Sequence, residues 1–217
     1  MRYVIDGDSL RLQSGEEVRL IGIDTPELGY DGRADKPFAR LARAALMRLI
    51  EAAGWSVRLQ PGLDRRDRYR RLLAHVYTPG GDNLTAAMLR QGLGYQAIVA
   101  PNLSHLECYR AAEREARDAG RALWREGVRN AKALSADETG FHLIQDRVLK
   151  VGRSRHAVWL ELMGGASVKI PWHVWQAMTE QDADRFVDRQ LEVRGWFYRV
   201  KGSLRVKISH PASIRWL

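Results

Sequence analysis

Val4-Ile5-Asp6-Gly7-Asp8-Ser9 and Arg19-Leu20-Ile21-Gly22-Ile23-Asp24-Thr25-Pro26-Glu27 are the two stretches on which the reading of this chain turns. Both are short and β-branched, so they read as strands. Together they gather four carboxylates (Asp6, Asp8, Asp24, Glu27) and the guanidinium of Arg19. Asp6 and Asp8 are two apart and share one face of a strand, and Gly7 between them permits close backbone approach. Pro26 forces a turn just after Asp24. Carboxylates and a backbone carbonyl are hard oxygen ligands that suit Ca²⁺ or Mg²⁺ and suit Zn²⁺ poorly. Arg71, in the charged run Asp64 to Arg71, can supply a second guanidinium. Two arginines, a metal and a spare carboxylate are sufficient parts for attack by water on a phosphodiester. One local argument opposes the grouping. Strict alternation puts Arg19 and Asp24 on opposite faces, so they meet only if the chain bends near Gly22.

Working outward, strands are expected at 3–12 and 16–23, separated by a turn at Gly15. A helix follows over 36–53, where Phe38, Leu41, Ala42, Ala45, Leu46 and Leu49 recur at helical spacing. Pro37 suits its first turn and Gly54 its stop. Strands at 55–60 and 72–77 and a helix at 83–91 come next. Ser104-His105-Leu106-Glu107 matches a capping box, so a second long helix should run from there to Leu123-Trp124. Residues 126–139 lose periodicity, and a linker is placed at 128–139. Beyond it strands are expected at 141–151, 157–163 and 167–170, a helical piece at 171–187, and strands at 190–199 and 203–209. Three strands, a helix and two strands is the element order of a five-stranded OB barrel. The first half repeats that order and adds two helices. The expected class is mainly β with α (α+β): an OB barrel with helices over 1–127 and a second OB-like barrel over 140–217.

Composition narrows the partner. The chain has 217 residues, a formal net charge of +9 and a pI near 10.0. The excess is +5 up to Ser135 and +4 beyond it, so the basicity is distributed and not a tail. Such a balance favours nucleic acid first and an acidic membrane surface second. The membrane reading needs a basic amphipathic helix, whereas the helices here bury ordinary apolar stripes. No apolar run is long enough to span a bilayer, so no membrane insertion is expected. Cys108 is the only cysteine, which excludes an intramolecular disulfide; it reads as a small buried apolar residue. No compartment follows from the residues. The chain opens at Met1-Arg2 directly inside a strand pattern, and the expectation is a secreted or periplasmic monomer whose export signal lies outside this sequence.

The first half resembles the staphylococcal nuclease (thermonuclease) family. The matching motifs are the two opening stretches, Asp67-Arg68-Tyr69-Arg70-Arg71, Leu89-Arg90-Gln91-Gly92-Leu93, and Pro101-Asn102 through His105, in the right order over roughly residues 2–126. The resemblance implies a Ca²⁺ ion, with Mg²⁺ or Mn²⁺ as substitutes, on Asp8, Asp24 and the Thr25 carbonyl. It implies that Asp6 holds a water beside that ion and that Glu27 is the general base. Arg19 and Arg71 would grip the scissile phosphate, and Tyr69, with Arg70 beside it, would contact the nucleotide. Cleavage of the P–O5′ bond would leave a 3′-phosphate. Three positions depart from the family pattern. Ser9 stands for the usual threonine and Arg70 for the usual glycine, and Gly94 to Ala100 lacks the tyrosine pair some members use for stacking.

In the second half, Arg194, Trp196 and Tyr198 alternate with Leu191, Val193 and Phe197, and the expected strand is apolar on one face and basic-aromatic on the other. Arg153 and Arg155 fall in the loop between the first two barrel strands and Lys201 in the loop between the last two. Such barrels use those loops on oligonucleotides. Trp159, Trp172, Trp175 and Trp196 either stack bases or pack the barrel. The expected activity is an endonuclease on DNA, with RNA left open because nothing reads the 2′-hydroxyl, and with single strands favoured. The alternative is a non-catalytic nucleic-acid-binding scaffold that keeps the barrel and not the chemistry.

Overall fold

A computed structural model describes residues 1–29, 31–135, 138–178 and 183–217. It divides into two units, Met1–Gly127 and Val128–Leu217.

The first unit begins with β1 (Tyr3–Val4), β2 (Ser9–Arg11), β3 (Glu17–Leu20) and β4 (Ile23–Asp24), followed by α1 (Ala39–Ala52). Then come β5 (Arg58–Arg66), β6 (Leu72–Tyr77), α2 (Leu84–Arg90), β7 (Tyr95–Gln96) and α3 (Leu106–Asp118). The main sheet has the order β1-β2-β3-β6-β5, with β3 and β6 parallel, and β4 pairs with β7. This is the strand succession of an OB barrel. Among the described residues no ladder joins β1, only two residues long, to β5. The core is filled by Leu10, Val18, Leu20 and Val76 from the sheet and by Ala42, Leu46 and Ile50 from α1. The buried stripe of α1 is therefore rotated from the expected one: Leu41 is exposed and Ile50 is buried. Pro37 lies before the helix, whose N-cap is Phe38 in a left-handed conformation.

The start of α3 differs from the capping-box expectation. His105 is the N-cap, and no side chain caps the helix. The His105 ring is committed elsewhere, with Nε2 2.7 Å from the Tyr77 hydroxyl and its ring edge-on to His75. That tertiary contact sets the entry angle of the helix in place of a serine cap. α3 also stops earlier, at Asp118; Gly120 at φ +58 turns the chain into a short 3-10 helix over Ala122–Trp124. His75 is buried with Nδ1 2.7 Å from the Tyr109 hydroxyl. Burial first, and His105 second, hold its pKa down at about 4. Cys108 is exposed on α3, not buried.

The second unit holds β8 (Gly140–Arg153), β9 (Ala157–Leu162), β10 (Ser167–Pro171), α4 (Trp172–Gln176), β11 (Gln190–Val200), β12 (Ser203–Lys207) and β13 (Ile214–Trp216). Its sheet runs β12-β10-β9-β8-β11-β13, and β12 also pairs with β11. Strands β8 to β12 thus close a five-stranded barrel, with β10 and β12 parallel, and β13 is an added edge on β11. This is the expected OB-like barrel. The helical piece expected over 171–187 is α4 plus a 3-10 turn at Ala183–Phe186, and residues 179–182 lie outside the described ones. The barrel core includes Val158, Leu160, Val168, Phe186, Phe197 and Val206.

Residues 128–135 of the expected linker do not behave as a free one. Ala131 and Leu134 are buried in the barrel core, Arg129 bridges Ile144, and Asn130 caps a 3-10 turn at Ala131–Ala133. Its polar residues masked two apolar ones three apart, Ala131 and Leu134, which a 3-10 turn brings to one face.

Candidate active site

The bend that alternation required is present. β3 ends at Leu20, Gly22 adopts φ +89, and β4 starts afresh on a different partner strand. A Cβ on Gly22 would lie 2.2 Å from the Tyr109 ring, so only glycine fits both the dihedral and the space. Gly7 is constrained differently: a Cβ there would meet Ala42 at 2.7 Å and Thr25 Oγ1 at 2.8 Å. The Asp6-Gly7-Asp8 turn is thereby seated directly against α1 and Thr25.

These two constraints bring Asp8, Arg19 and Asp24 together. Arg19 Nη1 lies 2.7 Å from Asp8 Oδ2, and Nη2 donates to Asp24 Oδ1 at 2.9 Å. Asp8 Oδ2 also accepts from the Thr25 backbone N–H at 2.8 Å and from Thr25 Oγ1 at 3.1 Å. Asp6 Oδ1 accepts from the Asp8 N–H at 2.9 Å, which tightens the turn. Asp6, Asp8 and Thr25 are buried, and Arg19 nearly so.

Charge in this cluster is unbalanced. Burial, then the Asp8 charge, push Asp6 up to about 7. Burial pushes Asp24 up to about 7 as well, against the pull of Arg19. Glu27 is exposed at its surface, yet partial desolvation and then Asp8 raise its pKa, while Arg19, Lys36 and Arg71 pull it down. Two buried carboxylates, Asp6 and Asp8, and the mostly covered Asp24 face one nearly buried guanidinium, and that guanidinium is itself imperfectly used. Arg19 Nη1 is buried and close to Asp8, but makes no aligned hydrogen bond. Among the described residues, no three acidic, histidine or cysteine side chains converge as a complete cage. The donors present are all oxygens beside surplus negative charge, which fits a hard divalent cation completed by water and excludes a thiolate or imidazole site.

Arg71 reaches the same cluster from the β5–β6 turn. Its Nη1 is 3.4 Å from Ser9 Oγ, which in turn donates to Asp8 Oδ1 at 2.9 Å. Asp67 organises this turn, a role the sequence reading did not assign. Its Oδ1 accepts from the backbone N–H groups of Tyr69 and Arg71, and its Oδ2 takes Arg71 Nε at 2.7 Å. The Asp67–Arg71 spacing of four was the available signal. Tyr69 is exposed, with Arg68 and Arg71 at 4.8 and 5.5 Å from its ring centre. Arg70 sits at φ +68, which explains why glycine is usual there. A non-glycine residue in this region costs about 1–2 kcal/mol, partly offset by glycine's greater unfolded entropy. Arg70→Gly is therefore expected to raise unfolding stability by about 0.5–1 kcal/mol in urea titration.

In the second unit the expected contacts separate. Arg153, Arg155, Trp196, Tyr198 and Lys201 are exposed. Arg194 is not: it is buried, 3.6 Å from Glu192, which also binds Arg215. The ladder to β8 runs without a shift from Gln190 to Phe197, so Arg194 and Trp196 share a face as expected; they differ in exposure, because Arg194 is covered beside Glu192 and Trp196 is not. Trp175 is part of the barrel core.

The family model described as staphylococcal nuclease homologue matches residues 17–126, half of the chain. The chain belongs to the staphylococcal nuclease family. Similar proteins include endonuclease YncB of Bacillus subtilis, 32% identical over 124 residues that cover 55% of this chain and 58% of that one. A probable endonuclease of Schizophyllum commune is 38% identical over 124 residues, covering 52% of this chain and 41% of its own. A thermonuclease of Staphylococcus hyicus is 27% identical over 124 residues, 56% of this chain and 72% of its own. The chain thus spans roughly half the length of the first relatives it matches. The family match begins after Asp6 and Asp8, so those two join the site on geometry and on the resemblance of their motif.

Proposed function

We propose that this chain is a metal-dependent endonuclease that hydrolyses phosphodiester bonds of DNA, with RNA left open. The observation that carries the reading is the two-sided grip of Arg19 on Asp8 and Asp24 inside a cluster with surplus negative charge. Asp8, Asp24 and the Thr25 carbonyl would hold Ca²⁺, with Asp6 orienting a water beside it. A bound divalent cation supplies neutralisation of phosphate charge and polarisation of a phosphoryl oxygen. The remaining work falls to the chain's own residues. Arg19, which pairs with Asp8 and Asp24, would turn toward the phosphate if a cation took those carboxylates, and Arg71, pre-aimed by Asp67, would meet the phosphate from the other side. Their forks match phosphate oxygens bidentately and stabilise the charge that builds on them. Glu27 accepts the proton of the attacking water, and its raised pKa brings it nearer the working range of a general base. By analogy with the family, the P–O5′ bond breaks and a 3′-phosphate remains. Tyr69 and Arg70 would steady the nucleotide at the mouth of the site.

In the second unit, exposed Arg153, Arg155 and Lys201 on the barrel loops, with Trp196 and Tyr198, would hold single-stranded substrate. The test is hydrolysis of labelled single- and double-stranded oligonucleotides across Ca²⁺, Mg²⁺, Mn²⁺ and EDTA. Cleavage restored by Ca²⁺ and abolished by EDTA is expected. Salt-sensitive binding without cleavage in any metal would replace this reading with the scaffold.

A further inference from the structure

The barrel carries a second basic-aromatic surface on its strands, separate from its loops. Val158, Leu160, Val168 and Val206 point into the core, so their neighbours in β9, β10 and β12 face outward. The ladders set these outward residues in two adjacent rows. In one, Trp159 lies opposite Lys169, and Lys169 opposite Lys207. In the other, Tyr198 lies opposite Arg205, Arg205 opposite Ser167, and Ser167 opposite Glu161. Lys169 Nζ and Arg205 Cζ each sit 5.4 Å from the Trp159 ring centre. Trp159 is fixed in place, since its Nε1 donates to Ser154 Oγ at 3.2 Å, and the Ser154 carbonyl accepts from Trp172 Nε1 at 3.1 Å. Among the described residues, Lys169, Arg205 and Lys207 pair with no carboxylate, and Glu161 is the one acid in either row. Tyr198 is exposed three strands from Trp159, about 14 Å across the wall at ~4.8 Å per strand.

Three unpaired cations around a rigid indole, with a phenol at the far side, suit a polyanion whose flat groups are free to stack. A duplex offers the phosphates but keeps its bases covered. We infer that this wall is a single-stranded nucleic-acid track, with bases stacking on Tyr198 and on the Trp159–Arg205 layer and phosphates on Lys169 and Lys207. The inference rests on the proposal that the second unit holds single strands, and it moves the main contact from the loops to the strands. An acidic peptide is the competing occupant; it would use the cations and leave the ring faces idle.

The test uses the whole chain in EDTA, so that no cleavage intervenes. Fluorescence anisotropy reads binding of short labelled single-stranded DNA, single-stranded RNA of the same sequence, a duplex, and polyglutamate. Trp159→Leu is expected to weaken single strands by about tenfold or more and the duplex much less. Lys169→Ser with Lys207→Ser, both surface changes that leave the core intact, should lower the slope of log affinity against log salt by about 0.7 per cation removed. Equal loss on DNA and RNA single strands supports the track; loss on one alone assigns it to that sugar. Single-strand affinity unchanged in both variants overturns the proposal. So does equal loss on duplex, or binding of polyglutamate in preference to oligonucleotide. Failure of the nuclease reading would show separately, as no cleavage by the unaltered chain with metal.

Discussion

Arg19→Ala is expected to remove cleavage by about 10³-fold or more and to destabilise the fold by about 3–5 kcal/mol. The two losses have different origins. For activity, one of the two guanidinium forks that meet the phosphate is gone. For stability, Asp8 and Asp24 lose the counter-charge that lies 2.7 and 2.9 Å from them, and they stay buried. Asp24, already held up at about 7 by burial with Arg19 in place, moves higher without it, so the penalty is full above that folded pKa and shrinks as pH falls through neutral toward the unfolded value of about 4. Arg19→Lys separates the effects: it restores the charge and part of the stability, but not the bidentate fork or the rate. Urea unfolding at two pH values and single-turnover cleavage check both halves. A stable Arg19→Ala protein with unchanged pH dependence would mean that the carboxylates are not held by this arginine.

Gly22→Ala is the second large effect, about 3 kcal/mol or more, although it alters no charge. The backbone there is left-handed at φ +89, and the added Cβ would overlap a ring that has little freedom to move. Tyr109 is buried and its hydroxyl contacts His75 and the Asn83 side chain. Relief requires the bend to open, which would draw Asp24 from Arg19 and reduce cleavage together with stability. A double-mutant cycle with Tyr109→Leu isolates the overlap from the dihedral strain, since only the overlap is coupled. Additive losses would place the whole cost in the backbone.

What the sequence made legible follows from where local pattern and tertiary context agree. The second barrel's strands alternate cleanly, so β9, β10, β11 and β12 could be read almost to their ends. The acidic and arginine motifs named Asp8, Arg19, Asp24 and Arg71, which the structure brings together, and the need for a bend at Gly22 could be stated. That Tyr109 compels glycine there could not, because that residue comes from α3, far along the chain. Arg194 kept its expected face, but its burial beside Glu192 could not be read from a two-residue period. Ser104 lost its capping role to a histidine held by Tyr77, a contact no local motif encodes. Asp67 was within a quoted motif and still went unassigned, because its role is to hold another residue.

The most direct measurement is the single-turnover rate of oligonucleotide cleavage by Glu27→Gln at saturating Ca²⁺, with substrate binding measured in parallel. The account predicts binding close to that of the unaltered chain and a rate lower by about 10²–10⁴-fold, the usual worth of a positioned general base. An unchanged rate would contradict the site proposed here.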